Sequence, residues 1–424
     1  MKQTLLTLLI CSVLFYGCKK GGEPAPGVPA PSGLSYANPN AFTVGKAITD
    51  LKPVVSGIVT TYTVTPALPS GLILNAGTGI ISGTPTTVTA QNTFNVSATN
   101  SIGSTTFGLI ITVNNSTGQF TYVPDNSFKI IAYFPSYRSP DSVDASKYKM
   151  ITHLFYAFLT PNANGSLNTL PEPARFNQVI SKARSNGVKV GISVSGASSV
   201  FVSLAANAAS RTTLVKNILA FVKQNNLDGV DMDWEYPRTT DGSDVTYTAL
   251  IKELSDTLHN NNKYLSAAVT PAVYAGSVRD GFKTENIGYI DFINLMMYDG
   301  VGWDKSAPKQ HASYNMTVAS LDIWQNTKGL PKEKTIVGIP SYGRNSANLS
   351  AGYRALMAAG GNSNIDSAML GSSMYYYNGT KTVKNKAILA KQRGNGIMMW
   401  EFYFDTNGSN SLLKAANDTL GRSY

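Results

Sequence analysis

Between Leu227 and Tyr236 the chain reads Leu-Asp-Gly-Val-Asp-Met-Asp-Trp-Glu-Tyr, with an acid at every second position from Asp231 to Glu235. The apolar residues flanking this stretch and the Pro237 that ends it read as a strand opening into a loop. Strand side chains alternate with period two, so Asp231, Asp233 and Glu235 fall on one face and Met232, Trp234 and Tyr236 on the other. Crowded carboxylates repel one another and burial penalises their ionised forms, so protons are shared along the row. Glu235, the outermost, is expected to hold its proton near neutral pH and to act as a general acid. The alternatives are a solvated acidic turn or a calcium loop. A calcium loop would interleave its acids with glycine and asparagine, whereas the spacers here are Val, Met and Trp.

A row of this kind needs a sheet to hold it. From Phe128 onward, β-rich runs alternate with helical ones, and strands are predicted over 130–135, 151–158, 188–195, 229–235, 264–270, 292–298, 335–342 and 396–402. Mostly apolar runs separated by helices imply an α/β fold with a parallel sheet closed into a (β/α)8 TIM barrel. The acidic row then sits at the C-terminal end of the fourth strand, where this fold carries its chemistry. One helix is well signalled, with Ser210 as its expected cap and Leu214, Ile218, Phe221 and Val222 on one stripe.

The chain has 424 residues, 43% hydrophobic and 14% charged, which implies two or three globular domains and excludes a disordered protein. Its net charge of +10 could draw it toward anionic surfaces or polymers, but no Lys/Arg block concentrates that charge. A diffuse positive surface without a nucleic-acid partner is expected. His153, His259 and His311 are far apart and no Cys lies near them, so neither a zinc centre nor a cofactor is expected.

Lys2 precedes an apolar run from Leu5 to Tyr16, too short to span a bilayer and typical of a signal peptide over residues 1–17. Leu14-Phe15-Tyr16-Gly17-Cys18 resembles a bacterial lipoprotein cleavage box, with Cys18 as the lipidated first residue. That resemblance implies a secreted lipoprotein anchored to the outer membrane, on its periplasmic or cell-surface face. A Pro/Gly-rich tether follows over 18–33. Thr/Val/Ile runs broken by turns over 34–114 read as a small N-terminal all-β sandwich. Its stretches 68–74, 78–85 and 96–103 resemble the immunoglobulin-like repeat of bacterial surface proteins, with glycines at turn positions needing positive φ. It is read as a spacer, since Tyr36 and Tyr62 are its main candidates for sugar stacking. Residues 115–127 form a second linker, and 128–424 the barrel. A monomer is expected.

The acidic row and three further stretches resemble glycoside hydrolase family 18. Asp228-Gly229-Val230-Asp231-Met232-Asp233-Trp234-Glu235-Tyr236-Pro237 matches the D-x-x-D-x-D-x-E signature in its chitinase-like form. Met296-Met297-Tyr298-Asp299 resembles the sixth-strand M-x-Y-D, Gly338 to Arg344 the seventh-strand motif, and Trp400 the eighth-strand tryptophan. On the third strand the family's S-x-G-G stands as Ser193-Val194-Ser195-Gly196, a departure expected to affect local packing without abolishing chemistry.

This resemblance implies retaining cleavage of β-1,4 bonds next to N-acetylglucosamine, with the substrate's own acetamido oxygen as nucleophile. Glu235 would protonate the glycosidic oxygen and later deprotonate water. Asp233 would hold the acetamido N–H, Asp231 would share a proton with Asp233, and Tyr298 would donate to the acetamido carbonyl. On the substrate side the resemblance points to Trp400 as an apolar floor and Tyr133, Asp299 and Arg344 as sugar contacts, with Ser193 counted among the substrate-binding residues as well as supporting the inner aspartate. Asp228 is read as structural, holding the start of the strand by hydrogen bonding.

Residues 345–395, between the seventh and eighth strands, must already supply a helix over 382–393. A larger α+β insertion is therefore expected to be absent or much reduced, leaving an open groove that favours endo action. Tyr375, Tyr376 and Tyr377 would line that groove or form a local packing cluster. The expected partner is chitin or another GlcNAc-containing polysaccharide, with an endo-β-N-acetylglucosaminidase acting on N-glycans and a non-catalytic glycan-binding protein as alternatives. If Cys18 carries the anchor, Cys18→Ala moves the protein from the membrane fraction to the soluble fraction; unchanged fractionation removes the lipoprotein reading.

Overall fold

The computed structural model describes residues 28–114 and 122–424, so Cys18 and the signal segment lie outside the described residues. The chain divides into two compact units, one ending at Phe120 and the other beginning at Thr121.

The first unit is all-β. A four-stranded sheet orders Asn40–Thr43, Ser104–Asn114, Thr89–Thr99 and Thr61–Thr65, beside two-stranded pairs of Ser32–Ser35 with Val54–Ser56 and Leu72–Leu74 with Ile81–Gly83. Its core gathers Leu34, Tyr36, Tyr62, Phe94, Val96, Leu109 and Ile111. Tyr36 and Tyr62 are thus core residues, with the Tyr36 hydroxyl donating to the Gly79 carbonyl at 2.7 Å, and neither offers a sugar-stacking face. Gly71, Gly79 and Gly83 take positive φ as the turn reading requires, whereas Gly103 does not.

The second unit is a closed barrel of parallel strands: β1 (Lys129–Pro135), β2 (His153–Leu159), β3 (Lys189–Ser195), β4 (Gly229–Asp233), β5 (Tyr264–Val269), β6 (Phe292–Leu295), β7 (Thr335–Pro340) and β8 (Gly396–Trp400). Each predicted run overlaps one of them, with Lys129 and Leu159 extending β1 and β2 by one residue beyond the predicted ranges. Several strands stop earlier than the apolar pattern, because their last residues turn into the loops above the barrel. Alternation divides the core into two layers. Val230, Met232 and Trp234 point outward against helices, while Tyr133, Phe155, Tyr264, Phe292 and Met398 fill the barrel interior. Gly229 leaves room for this filling, since a Cβ there would stand 2.2 Å from the Tyr264 ring.

The linker does not run free to the barrel. Tyr122 stacks on His259 at 4.1 Å and donates to Asp291 at 3.2 Å, and Asp125 pairs with Lys189 at 2.7 Å, so the last linker residues are already docked. Asp228 accepts from the Val190 amide at 2.7 Å and pins the start of β4 to β3.

The expectation for the β7–β8 connection needs correction. It carries a four-stranded antiparallel sheet, ordered Ser350–Gly352, Tyr342–Asn345, Ser373–Tyr376 and Ser367–Leu370, with the helix Tyr353–Ala358. Strands of three or four residues leave too little periodicity to be seen in the sequence. Tyr375 and Tyr377 pack into the hydrophobic core, so this tyrosine run is mainly a packing cluster.

The second helix after β3 starts differently from expectation as well. It spans Ala208–Gln224, and Asn207 is its cap, accepting from the amides of Ala209 and Ser210 at 2.9 and 3.1 Å. Ser210 lies inside the first turn. Asn207→Ala should therefore lower unfolding free energy by about 1 kcal/mol in chemical denaturation, with Ser210→Ala costing less.

Candidate active site

Asp231 sits in mid-strand, so its side chain enters the barrel where no water reaches it; it is 0% exposed. Strand register sets Ser193, Asp231 and Ser266 side by side on β3, β4 and β5. Ser193 donates to Asp231 at 2.9 Å, Ser266 at 2.6 Å, Tyr133 at 2.7 Å and the Asn294 amide at 3.1 Å. Burial still raises the Asp231 pKa above the usual aspartate range, although these four donors oppose it.

Two residues up the strand, Asp233 is also buried, and its Oδ1 has no hydrogen-bond partner. Burial, then the charges of Glu235 and Asp231, push its pKa far above the usual range, while a hydrogen bond from Ser195 works the other way. Glu235 lies past the end of β4 and opens to solvent through the cavity mouth. Protein crowding its other sides strips enough water to raise its pKa, opposed by hydrogen bonding with Tyr236. All three carboxyl pKa values along the row are raised, but the most strongly raised member is the inner Asp233. It is the one flanked by carboxylates on both sides.

Glu235 and Asp233 open into a cavity of about 220 Å3, lined also by Tyr133, Phe158, Ser195, Tyr236, Tyr298, Asp299, Tyr342 and Trp400. Trp400 stacks on Phe158 at 5.7 Å and meets Tyr133 edge-on at 5.8 Å. The buried Tyr298 hydroxyl has only the Met398 sulfur nearby, at 3.9 Å, leaving its proton available to a ligand. Burial and neighbouring acidic groups hold its pKa well above the ordinary tyrosine value, so it stays a donor.

Asp299 adopts φ 64°, a conformation rare for a residue with a side chain. Tyr342 and Arg344 hold its carboxylate at 2.7 and 2.5 Å. His311 donates through Nε2 to the Tyr342 carbonyl at 3.2 Å, leaving Nδ1 to accept the Asp299 amide at 3.3 Å. Burial raises the Asp299 pKa, but the hydrogen bonds its carboxylate accepts from Arg344 and Tyr342 outweigh that and keep it below the usual range.

Three expectations change. Ser193 is sealed behind Asp231 and touches no cavity, so it supports the aspartate and is no substrate contact. Arg344 is committed to Asp299 and to the Asn348 carbonyl and stands outside the cavity lining. Tyr236 lines the cavity beside Glu235, not the opposite face, because β4 ends at Asp233 and its alternation ends there too. The sequence reading missed Ser266 and Asn294, which become visible only once register is known. It also took Ser195 for a packing change, whereas register places Ser195 opposite Asp233 with its side chain in the cavity.

Residues 129–405 match the family description "Glycosyl hydrolases family 18", and residues 24–116 match "Putative Ig domain". Probable chitinase 10 of Drosophila melanogaster is 28% identical over 271 residues, covering 54% of this chain and 12% of that protein. Endochitinase of Brugia malayi is 26% identical over 326 residues, covering 60% of this chain and 63% of that one. The chain therefore spans less than two thirds of either relative. A chitinase crystal structure from Bacteroides thetaiotaomicron is 27% identical with a TM-score of 0.61, covering 70% of this chain and 99% of its own.

The raised Asp233 pKa has a consequence for stability. An aspartate whose folded pKa lies above its unfolded value of about 3.9 subtracts stability as pH rises past that value, because only the unfolded chain ionises freely. Asp233→Asn should thus be more stable than the parent at pH 7 by about 1 kcal/mol or more, with the difference closing below about pH 4. Melting curves across that range check it, and a gain that persists unchanged in acid contradicts it.

Proposed function

The chain belongs to glycoside hydrolase family 18, and on that premise we propose that it is a retaining, endo-acting chitinase cleaving β-1,4 bonds next to N-acetylglucosamine by substrate-assisted catalysis. The observation that carries this reading is one cavity holding a proton-retaining Glu235, a proton-sharing Asp233, the Tyr298 hydroxyl and the Trp400 ring.

Glu235, kept protonated by its surroundings, gives its proton to the bridging oxygen as the glycosidic bond breaks. The acetamido carbonyl oxygen of the sugar over Trp400 attacks the anomeric carbon and closes an oxazolinium ring. Tyr298 donates to that carbonyl oxygen and sets its line of attack. Asp233 accepts the acetamido N–H, and the proton shared along the row lets it carry more negative charge as the ring becomes cationic. Water, deprotonated by the Glu235 carboxylate, then opens the ring with the original anomeric configuration. Tyr133 and Asp299 shape the cavity around the sugar, and Arg344 fixes Asp299.

Endo action is supported by the way the cavity continues into a second cleft past Glu235, and by likeness to a relative named Endochitinase. The anchoring of the chain to the outer membrane through Cys18, with the sandwich as a spacer, belongs to the same proposal.

Glu235→Gln should lower turnover of a chromogenic chito-oligosaccharide by about a hundredfold or more while sugar binding survives. The parent should release β-anomers first and be inhibited by a thiazoline mimic of the oxazoline; inverted products rule out this mechanism. Cleavage of a high-mannose glycoprotein but not of chitin oligomers would replace the chitinase assignment with the N-glycan one.

A further inference from the structure

Past Glu235, on the side away from Trp400, the cavity opens into a cleft of about 540 Å3 that shares Tyr236, Tyr298 and Asp299 with it. Given a reacting sugar over Trp400 and a proton delivered from Glu235, this cleft is where the leaving half of the chain lies. Its remaining walls come from the stretch after β4 and the loop after β5, and they bring Arg238, Arg279 and Tyr274. Tyr274 is 54% exposed, a large ring presented to the cleft without a packing role in the core.

One cation of this cleft stands without an ion-pair partner among the described residues. Asp299 is paired with Arg344. Arg279 is paired with its neighbour Asp280 at 2.9 Å. Of the acids near Arg238 in sequence, Asp244 faces Lys283 at 3.4 Å, while Asp241 accepts from the Ser243 amide at 3.0 Å and keeps its charge, which reaches Arg238 only from beyond ion-pair distance. Among the described residues the Arg238 guanidinium has no carboxylate within ion-pair distance and no side-chain hydrogen bond. A neutral sugar hydroxyl uses little of a guanidinium, whose fixed fork matches the two oxygens of a carboxylate. The net charge of +10 adds a long-range pull on such a polymer.

We propose that the cleft receives the leaving half of a GlcNAc-containing chain that carries a carboxylate, with Arg238 selecting the acid and Tyr274 stacking on a sugar ring of that half. This rests on the hydrolase reading above and names its substrate class more narrowly.

The test uses chitopentaose reduced at its reducing end to the alditol and the same pentamer oxidised there to the aldonic acid, an open-chain pair differing in one terminal carboxylate. Binding is measured by calorimetry in the Glu235→Gln background, where neither probe is consumed, and again with Arg238→Gln added. The acid should bind roughly fivefold tighter than the neutral pentamer at low salt, as one exposed ion pair allows. That ratio should fall toward one in Arg238→Gln and on raising ionic strength. Equal binding of the two probes, or a preference that survives Arg238→Gln, overturns the proposal. Turnover of neutral chitopentaose by the parent is scored separately, so loss of the hydrolase reading is seen apart from loss of the charge preference.

Discussion

A carboxylate with no access to water, Asp231, is held from four directions, and the geometry of the site depends on how it is satisfied. Its donors Tyr133, Ser193, Ser266 and Asn294 stand on β1, β3, β5 and β6. Leaving one such buried group unpaired costs about 1–3 kcal/mol, so each donor strand is tied to the register that brings its donor to Asp231. Tyr133 links two of the contacts, since its hydroxyl also accepts from the Asn294 amide at 3.0 Å. The network fixes the backbone of β4, and with it the height at which Asp233 and Glu235 emerge.

The same network creates the electrostatic problem that the upper part of the site exploits. A charge held below Asp233 makes ionising Asp233 costly, and Glu235 above makes it costlier still. Proton sharing along the row is then the low-energy state, and a ligand that offers Asp233 a hydrogen-bond donor or a nearby positive charge changes where the proton sits. Asp299 lies on the opposite side of this balance. Its bonds from Arg344 and Tyr342 keep it ionised, so it adds negative potential near Glu235 and helps Glu235 retain its proton.

How much of this was legible in the sequence follows from what each signal depends on. The eight strands and the inward row were readable because alternation is local, and Asp231 and Asp233 keep it while β4 lasts. Tyr236 was misplaced because the same alternation was carried three residues past the end of that strand. Ser266 and Asn294 carry no local mark; what makes them matter is register between strands distant in the chain. Asn207 and Ser210 are both cap-forming types, and only the backbone path shows which one stands outside the helix. The small sheet after β7 was missed because its strands are too short to display a period, although Tyr342 and Arg344 from its first strand hold Asp299 in place.

The two ends of the cleft are built to different standards of rigidity, and this difference bears on catalysis. Trp400 is locked through the backbone: its carbonyl accepts from the Ser341 amide at 2.8 Å, and the Ser341 hydroxyl bonds both the amide and the carbonyl of Glu401. The Glu401 carboxylate, 1% exposed, is in turn paired with Arg138 at 2.7 Å, and Arg138 lies against Tyr403 and Phe404. Under the proposed mechanism, a floor held this way would not retreat when a sugar is pressed on it, so binding energy there would serve to distort the ring toward its transition state. Across Glu235, Tyr274 and Arg238 are open to solvent, where contacts are weaker and screened by salt. Weak contact on that side suits a leaving group, because every kilocalorie that holds it in the ground state must be overcome before the cleft empties.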